Sequence, residues 1–539
     1  MEKTYPFELS ALAEASEVSR LSLWLQGTSD FEATPDHHVR VRVNGAQVAE
    51  AFFEGKNLLR LSAEIPAGVL REGENLLSVE NVGDTAATYS MVMLDRFAVD
   101  YPRQLRAEGG RLEGEFRESG EAKIMGFSGG ALALDVTEEP VRWLDGALPV
   151  EGGLRLPVES GRRYVVIDPG AVSKPGIRRP APSRLQSEGN RADYLMVGPR
   201  ELIDAAAPLL ALRRSQGLVS RAAPLEEVYS EFGHGESRPE AVREFLSYAY
   251  HHWRKPAPRY VVLLGDATYD FKDYLGTGVV NQLPALMVKT SYLWTASDPA
   301  YAALNGDDIL PDVAIGRLPA ASAHELRIMV EKLLAYETSP SWSAGPAVLV
   351  ADNPDEAGDF ERDAEELASG VLASRDPRRI YLSRLGVAPT RQAIVDALDA
   401  GASVLSYVGH GGIQLWAQEN LFQSSQVGSL SPQSAQPLVL TLNCLNGYFH
   451  FPYFNSLSEE LLKAEGKGAI AAFSPSGLSL NEPAHIFHEA LLRELVSGER
   501  ERLGDAVVAA QESYAASGAF PELLRIYHLL GDPALMLRK

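Results

Sequence analysis

SVLSYVGHGGIQLW (residues 403–416) and PLVLTLNCLNGYF (residues 437–449) decide how this chain is read. Each begins with a short apolar run rich in Val, Leu and Thr and then meets turn residues: Gly409 and Gly411 in the first, Asn446 and Gly447 in the second. Apolar runs bounded in this way are the pattern of strands buried on both faces of a parallel sheet. His410 and Cys444 then stand just past the carboxyl ends of two strands, the edge where open α/β sheets place ligands and chemistry. Cys444 is the single cysteine in 539 residues. A buried cysteine is ordinarily a small hydrophobe. Cys444, however, ends its run and precedes a turn, and His410 sits between two glycines that leave its imidazole uncovered. Together they read as a thiol nucleophile and its base.

The surrounding sequence alternates strands and helices from residue 193 onward. Tyr194–Val197, Tyr260–Leu264 and Asp312–Gly316 read as strands, with helices over 199–216, 239–253 and 321–336. A second, similar series starts with the strand Ala347–Ala351 and continues through a helix at 358–374, a strand at 379–383 and a helix at 390–400. Beyond Cys444 follow a helix at 456–465, the strand Ala469–Phe473, and helices at 484–497 and 503–516. Such βα alternation predicts two α/β halves built on mostly parallel sheet. The front of the chain differs. Residues 1–103 carry short alternating runs such as His38–Val43 and Asn75–Val79 separated by turns, which predicts a β-sandwich domain. Residues 104–188 form a smaller β-rich domain that ends in a linker, SKPGIRRPAPSRLQSEGN (173–190), with three prolines. The domains expected are therefore 1–103, 104–188, 189–340 and 341–539.

Composition narrows the function classes. At 45% hydrophobic and 23% charged residues the chain has ample core-forming material. Its formal charge of −22 comes with no basic block, so nucleic acid and anionic membrane surfaces are poor partners. No apolar run approaches the roughly 20 residues of a membrane span. The first thirty residues lack a basic start and a continuous apolar core, so no signal peptide is read there. One cysteine excludes an intramolecular disulfide and leaves the redox compartment open. Asp36-His37-His38 suggests a metal pair, but adjacent strand residues face opposite sides, and a polar strand start is the favoured reading.

GHGGIQLW, TLNCLNGYF, SLSEELL, GKGAIAAFSPSGLS and RIYHLLGDPAL, in that order, resemble the gingipain-type cysteine peptidases of family C25, which share a caspase-like fold with the caspase, legumain and separase clan. HHVRVRVNG (37–45) resembles the β domain that often precedes this unit in larger bacterial members. The resemblance implies a cysteine endopeptidase acting on protein or peptide substrates, secreted or at the cell surface. It matches Cys444 to the nucleophile and His410 to the general base. Asp312, at the head of Asp312-Val313-Ala314-Ile315-Gly316-Arg317, matches the acidic residue that orients the histidine. The backbone N–H groups of Gly411 and Cys444 match the oxyanion hole. The substrate pocket is expected from Trp416 and the uncharged loop Ser476, Gly477, Leu478, Ser479 and Leu480. Glu482, Asp307 and Asp308 are the acidic candidates for meeting a basic P1 side chain, and Asn443 stands where relatives often carry Ala.

No cofactor is required for this chemistry. Calcium as a structural ion is implied by the resemblance alone: Asp266, Asp270, Asp273, Asp307 and Asp308 offer oxygen ligands, but solvated loop carboxylates are favoured because no EF-hand spacing is present. Two alternatives stay open: a sortase-like transpeptidase of the same family, and a latent or inactive binding module. Arg-bearing linker residues 176–180 motivate a zymogen activated by cleavage.

Overall fold

The computed structural model describes residues 2–13, 18–31, 34–87, 90–127, 130–177, 183–338, 345–433 and 435–537. Arg178, Arg179 and Pro180 of the linker lie outside them. The chain divides into two compact units, residues 1–178 and 179–539.

The second unit is built on one ten-stranded sheet. Its strands are numbered here in chain order: β1 (Tyr194–Gly198), β2 (Ser220–Pro224), β3 (Tyr260–Leu264), β4 (Ala314–Leu318), β5 (Ala347–Ala351), β6 (Arg378–Tyr381), β7 (Val404–Val408), β8 (Leu438–Leu442), β9 (Ala471–Pro475) and β10 (Tyr527–Leu530). Their order across the sheet is β2-β1-β3-β4-β10-β9-β8-β7-β5-β6. β1, β3, β4, β5, β7, β8 and β9 are buried along their whole length, because helices cover both faces, and this is why they read as continuous apolar runs. The last strand, β10, pairs antiparallel with β9 and parallel with β4. The two halves expected from the sequence are thus zipped together by the chain terminus, and their strands run in opposite directions.

Register matters more here than order. β7 and β8 pair in parallel from Val404↔Leu438 to Val408↔Leu442. Gly409 N–H then donates to Leu442 O at 3.1 Å, so the two strands leave the sheet level with each other. His410 and Cys444 each lie two residues past the last pair, on neighbouring strands.

Local differences from expectation have local causes. The helix expected over 199–216 is two, Arg200–Ala205 and Ala207–Ser215. Pro208 has no N–H to continue the ladder, so the chain breaks there and restarts with the proline in the first turn. Leu185, read as linker, is 1% exposed. Its carbonyl accepts from Trp253 Nε1 at 2.8 Å, which fastens this stretch to the second unit's core. Among the described residues no helix is long and apolar enough to cross a membrane.

The strands of the first unit pair antiparallel with one another. A four-stranded sheet containing Glu2–Leu9, Gly73–Asn81, His37–Val43 and Ala46–Phe53 shares a core with a three-stranded sheet of Leu58–Ile65, Ser19–Gly27 and Val92–Asp100. Alternation places Leu21, Leu23 and Leu25 opposite Val39, Val41 and Val43 in that core. A second pair of small sheets, from residues 111–167, closes around Ile124, Leu156 and Val166. His37 and His38 do not converge: His37 Nε2 pairs with Gly55 O, while the His38 ring lies between Glu50 and Asp84 at 2.8 and 2.7 Å.

Candidate active site

Four loops that leave the carboxyl ends of β5, β7, β8 and β9 meet above the sheet. His410, Cys444, Asn443, Ser479, Leu480 and Asn481 line one cleft there, together with Ala357, Phe360, Leu442 and Ala484. The histidine and the cysteine identified in the sequence are therefore brought together.

The β7 loop is held tightly. Gly409 has φ +155°, and a Cβ on it would fall 2.4 Å from the Asp352 side chain. Asp352 is 2% exposed; its Oδ2 accepts from the His410 backbone N–H at 3.1 Å and its Oδ1 from Asn353 N–H at 2.9 Å. Burial pushes its carboxyl up, against those two donors. Tyr407 hydroxyl donates to His410 O at 2.6 Å. The backbone of His410 is thus fixed from both ends, while the imidazole, with its side chain 39% exposed, lies edge-on to Phe360.

The imidazole is oriented by Asp355, not by Asp312. His410 Nε2 lies 2.7 Å from Asp355 Oδ2. Burial pushes the Asp355 carboxyl up, but N–H groups of Ala357 and Gly358 and the His410 ring outweigh it and leave the pKa below the usual range. An ionised Asp355 only accepts, so Nε2 carries the proton and Nδ1 is the basic nitrogen. Asp312 instead braces its own loop, where its Oδ2 accepts from the N–H groups of Leu304 and Asn305 at 2.7 and 2.8 Å. It precedes β4, four places along the sheet from β7, which is roughly 19 Å at the usual strand spacing. The sequence does hold a signal for Asp355, since a strand, Ala347–Ala351, ends directly in Asp352-Asn353-Pro354-Asp355 at the same edge as His410.

Cys444 sits at a tight turn, with Leu445 at φ +63°. Its Sγ–H donates to Ser479 O at 3.7 Å, and Ser479 N–H donates back to Sγ at 3.4 Å. Burial pushes the thiol up, partly offset by that N–H. Gly411 packs against this turn. A Cβ there would fall 2.3 Å from Asn443 Nδ2 and 2.7 Å from Cys444 O, so a side chain would force the two loops apart.

The expected pocket divides. Ser479 and Leu480 line the cleft. Leu478 is half-buried and does not line it. Ser476 is 0% exposed because the chain still follows the sheet there: its N–H donates to Ile526 O and its Oγ to Ala296 O. Gly477 is buried likewise, under Ile526, with its carbonyl accepting from Leu445 N–H. Trp416 is also buried completely, stacked on Tyr407 at 4.6 Å, and its Nε1 donates to Asn446 Oδ1 at 2.7 Å. It supports the site from below and does not wall the pocket.

Four of the five carboxylates suggested for calcium have partners of their own. Asp266 pairs with Lys463, Asp270 accepts from Tyr274 and Leu275 N–H, Asp273 from Gly278 N–H and Asp308 from Leu310 N–H. Among the described residues no three His, Cys, Asp or Glu side chains form a metal-holding group.

Residues 187–538 match the family model described as Peptidase family C25. Gingipain R2 and gingipain R1 of Porphyromonas gingivalis are each 26% identical over 267 residues, 45% of this chain. Those matches cover 35% and 26% of the relatives' own lengths. The solved structure of the Arg-specific cysteine proteinase gingipain R superposes with a TM-score of 0.54 at 19% identity, over 67% of this chain and 80% of that one. Dimeric latent PorU from Porphyromonas gingivalis gives 0.52 at 18% identity, over 99% of this chain and 49% of that one. Both likenesses speak to the fold, which is caspase-like with an all-β front.

Proposed function

The chain belongs to peptidase family C25, and on that premise we propose that it cleaves peptide bonds, with Cys444 as nucleophile and His410 as general base oriented by Asp355. The observation that supports this most is the register of β7 and β8, which sets His410 and Cys444 on neighbouring strand ends over one cleft with Asp355 on Nε2 of the ring. His410 Nδ1 takes the thiol proton as Sγ attacks the scissile carbonyl carbon. Asp355 stabilises the imidazolium that results. The N–H groups of Gly411 and Cys444 receive the oxyanion, and donors of that kind are worth about 3 kcal/mol of barrier each. Collapse breaks the C–N bond, the imidazolium protonates the departing amine, and a thioester remains on Cys444. Water activated by His410 then releases the acid; an amine in its place would give transpeptidation.

Among the described residues the cleft lining carries no carboxylate. Asp363, buried behind the wall, is already held by Asn481 Nδ2 and by the Arg362 guanidinium. Uncharged P1 side chains are therefore expected to be preferred over Arg or Lys. A fluorogenic peptide library varied at P1, run with and without an added amine, tests the reading. Cleavage that disappears in Cys444→Ala supports it; cleavage that survives overturns it.

A second reading, latency, is favoured by the state of the thiol. Burial pushes its pKa up and it is bonded to Ser479, and the fold likeness to a protein described as latent runs through the front unit as well. Activity that rises only after limited proteolysis between residues 173 and 190 would support this; full activity of the uncut chain would exclude it.

A further inference from the structure

Asn443 has one solution for its carboxamide. Trp416 Nε1 can only donate, and it donates to Asn446 Oδ1. Asn446 Nδ2 donates to the carbonyls of Gly412 and Leu415, at 2.6 and 3.2 Å. The Asn446 atom facing Asn443 is thus an acceptor, and the Asn443 atom 2.5 Å from it must be Nδ2. That leaves Asn443 Oδ1 at the other end, with no partner among the described residues although Asn443 is only 4% exposed. Buried acceptors are almost always paired, so an orphan inside an otherwise satisfied network points to a donor that arrives from outside.

Asn443 also lines the cleft beside His410 and Cys444, and its amide lies against Gly411. A carboxamide oxygen only accepts. Its partner therefore cannot be the attacked carbonyl or the oxyanion and must carry N–H or O–H, and of these a peptide backbone offers N–H. We propose that Asn443 Oδ1 binds substrate by accepting a hydrogen bond from an N–H of the residue that bears the scissile carbonyl, and so sets the register of the peptide over Cys444. The N–H comes from that residue's main-chain amide or from an uncharged N–H-bearing side chain such as a carboxamide. The inference rests on the peptidase reading above.

The test measures binding without turnover. A library peptide is titrated by calorimetry into full-length Cys444→Ala and into Cys444→Ala/Asn443→Ala. Two analogues accompany it: one with an ester in place of the P1 amide N–H, and one in which only the P1 side-chain N–H is changed, present in one and absent in the other. Losing Asn443 should weaken the parent peptide about tenfold, as for one hydrogen bond near the strong end of the usual range. One analogue should show the same loss against Cys444→Ala and no further loss in the double variant, and which analogue it is names the source of the N–H. An unchanged Kd on losing Asn443, losses that add fully for both analogues, or no peptide binding at all would overturn the proposal. Asn446 keeps its Trp416 donor in the variant, so the fold should hold; Asn443→Leu, which retains the volume, repeats the comparison. Turnover by the wild type and its loss in Cys444→Ala judge the peptidase reading separately.

Discussion

The two halves of the large sheet are made of the same βα units, yet they treat polar groups in opposite ways. In the half formed by β1–β4, buried charges are closed off. Arg317 is 0% exposed and holds Asp298 through two contacts of 2.7 Å, and Arg213 is enclosed by Asp532 and Glu337. In the half formed by β5–β9, the polar groups at the strand ends are left open: the imidazole and Asp355 are each 39% exposed in their side chains, Cys444 is half-buried and Asn443 Oδ1 has no partner among the described residues. Asp312 and Asp355 condense the contrast. Both are loop carboxylates beside a strand, but the first accepts from its own loop's N–H groups while the second keeps an oxygen for a side chain that can react. Similar scaffolds become a site or a brace according to which polar atoms stay available.

The contrast is broken most sharply in the open half. Cys444→Ala or His410→Ala should lower kcat/KM by about 10⁴-fold or more while thermal stability stays close to wild type, since neither side chain supports the core. Calorimetry alongside the peptidase assay checks both parts. In the closed half the effect should reverse. Arg317→Met leaves Asp298 buried without its partner and should cost about 3–5 kcal/mol of stability, read by denaturant unfolding.

Acid should expose a third difference. Burial pushes His450 and His488 down to about 3, in His450 with help from the neighbouring His528 and Arg317. Both stay neutral in the folded chain and would take up a proton on unfolding below about pH 6.5. Their contribution is therefore present above that pH and is lost as pH falls from 6.5 towards 3, at up to about 1.4 kcal/mol each per pH unit. Tm measured from pH 7 to 4 should drop, and His488→Gln should flatten the slope. The smallest effect is on the thiol: its alkylation by iodoacetamide should rise with pH through a midpoint above the ordinary value near 8.5, because burial disfavours the thiolate.

The parts of the site that are legible in the sequence are those carried by a single segment. Val404–Val408 and Leu438–Leu442 announce themselves as buried strands, and Gly409 and Asn446-Gly447 mark where each leaves the sheet, so His410 and Cys444 can be found without coordinates. Asp312 is misplaced by a sequence reading because strand order is a property of the whole fold. The short run Tyr527–Leu530 inserts between β4 and β9, reverses the direction of one half and sets Asp312 far from the imidazole. Trp416 shows a different limit. A tryptophan near a catalytic histidine reads as a pocket wall, but its indole N–H finds a buried acceptor in Asn446, and that pairing draws the ring inside. Ser476 and Gly477 read as pocket residues because nothing in SPSGLS marks where the chain stops following the sheet.

The most direct test compares Asp355→Asn with Asp312→Asn in one kcat/KM assay across pH. Asp355→Asn should fall by about a hundredfold, because the imidazolium loses its counter-charge and the ring its tautomer, while Asp312→Asn should stay within about twofold of wild type. The reverse result, with Asp312→Asn inactive and Asp355→Asn unaffected, would contradict the assembly of the site from the loops after β5, β7 and β8.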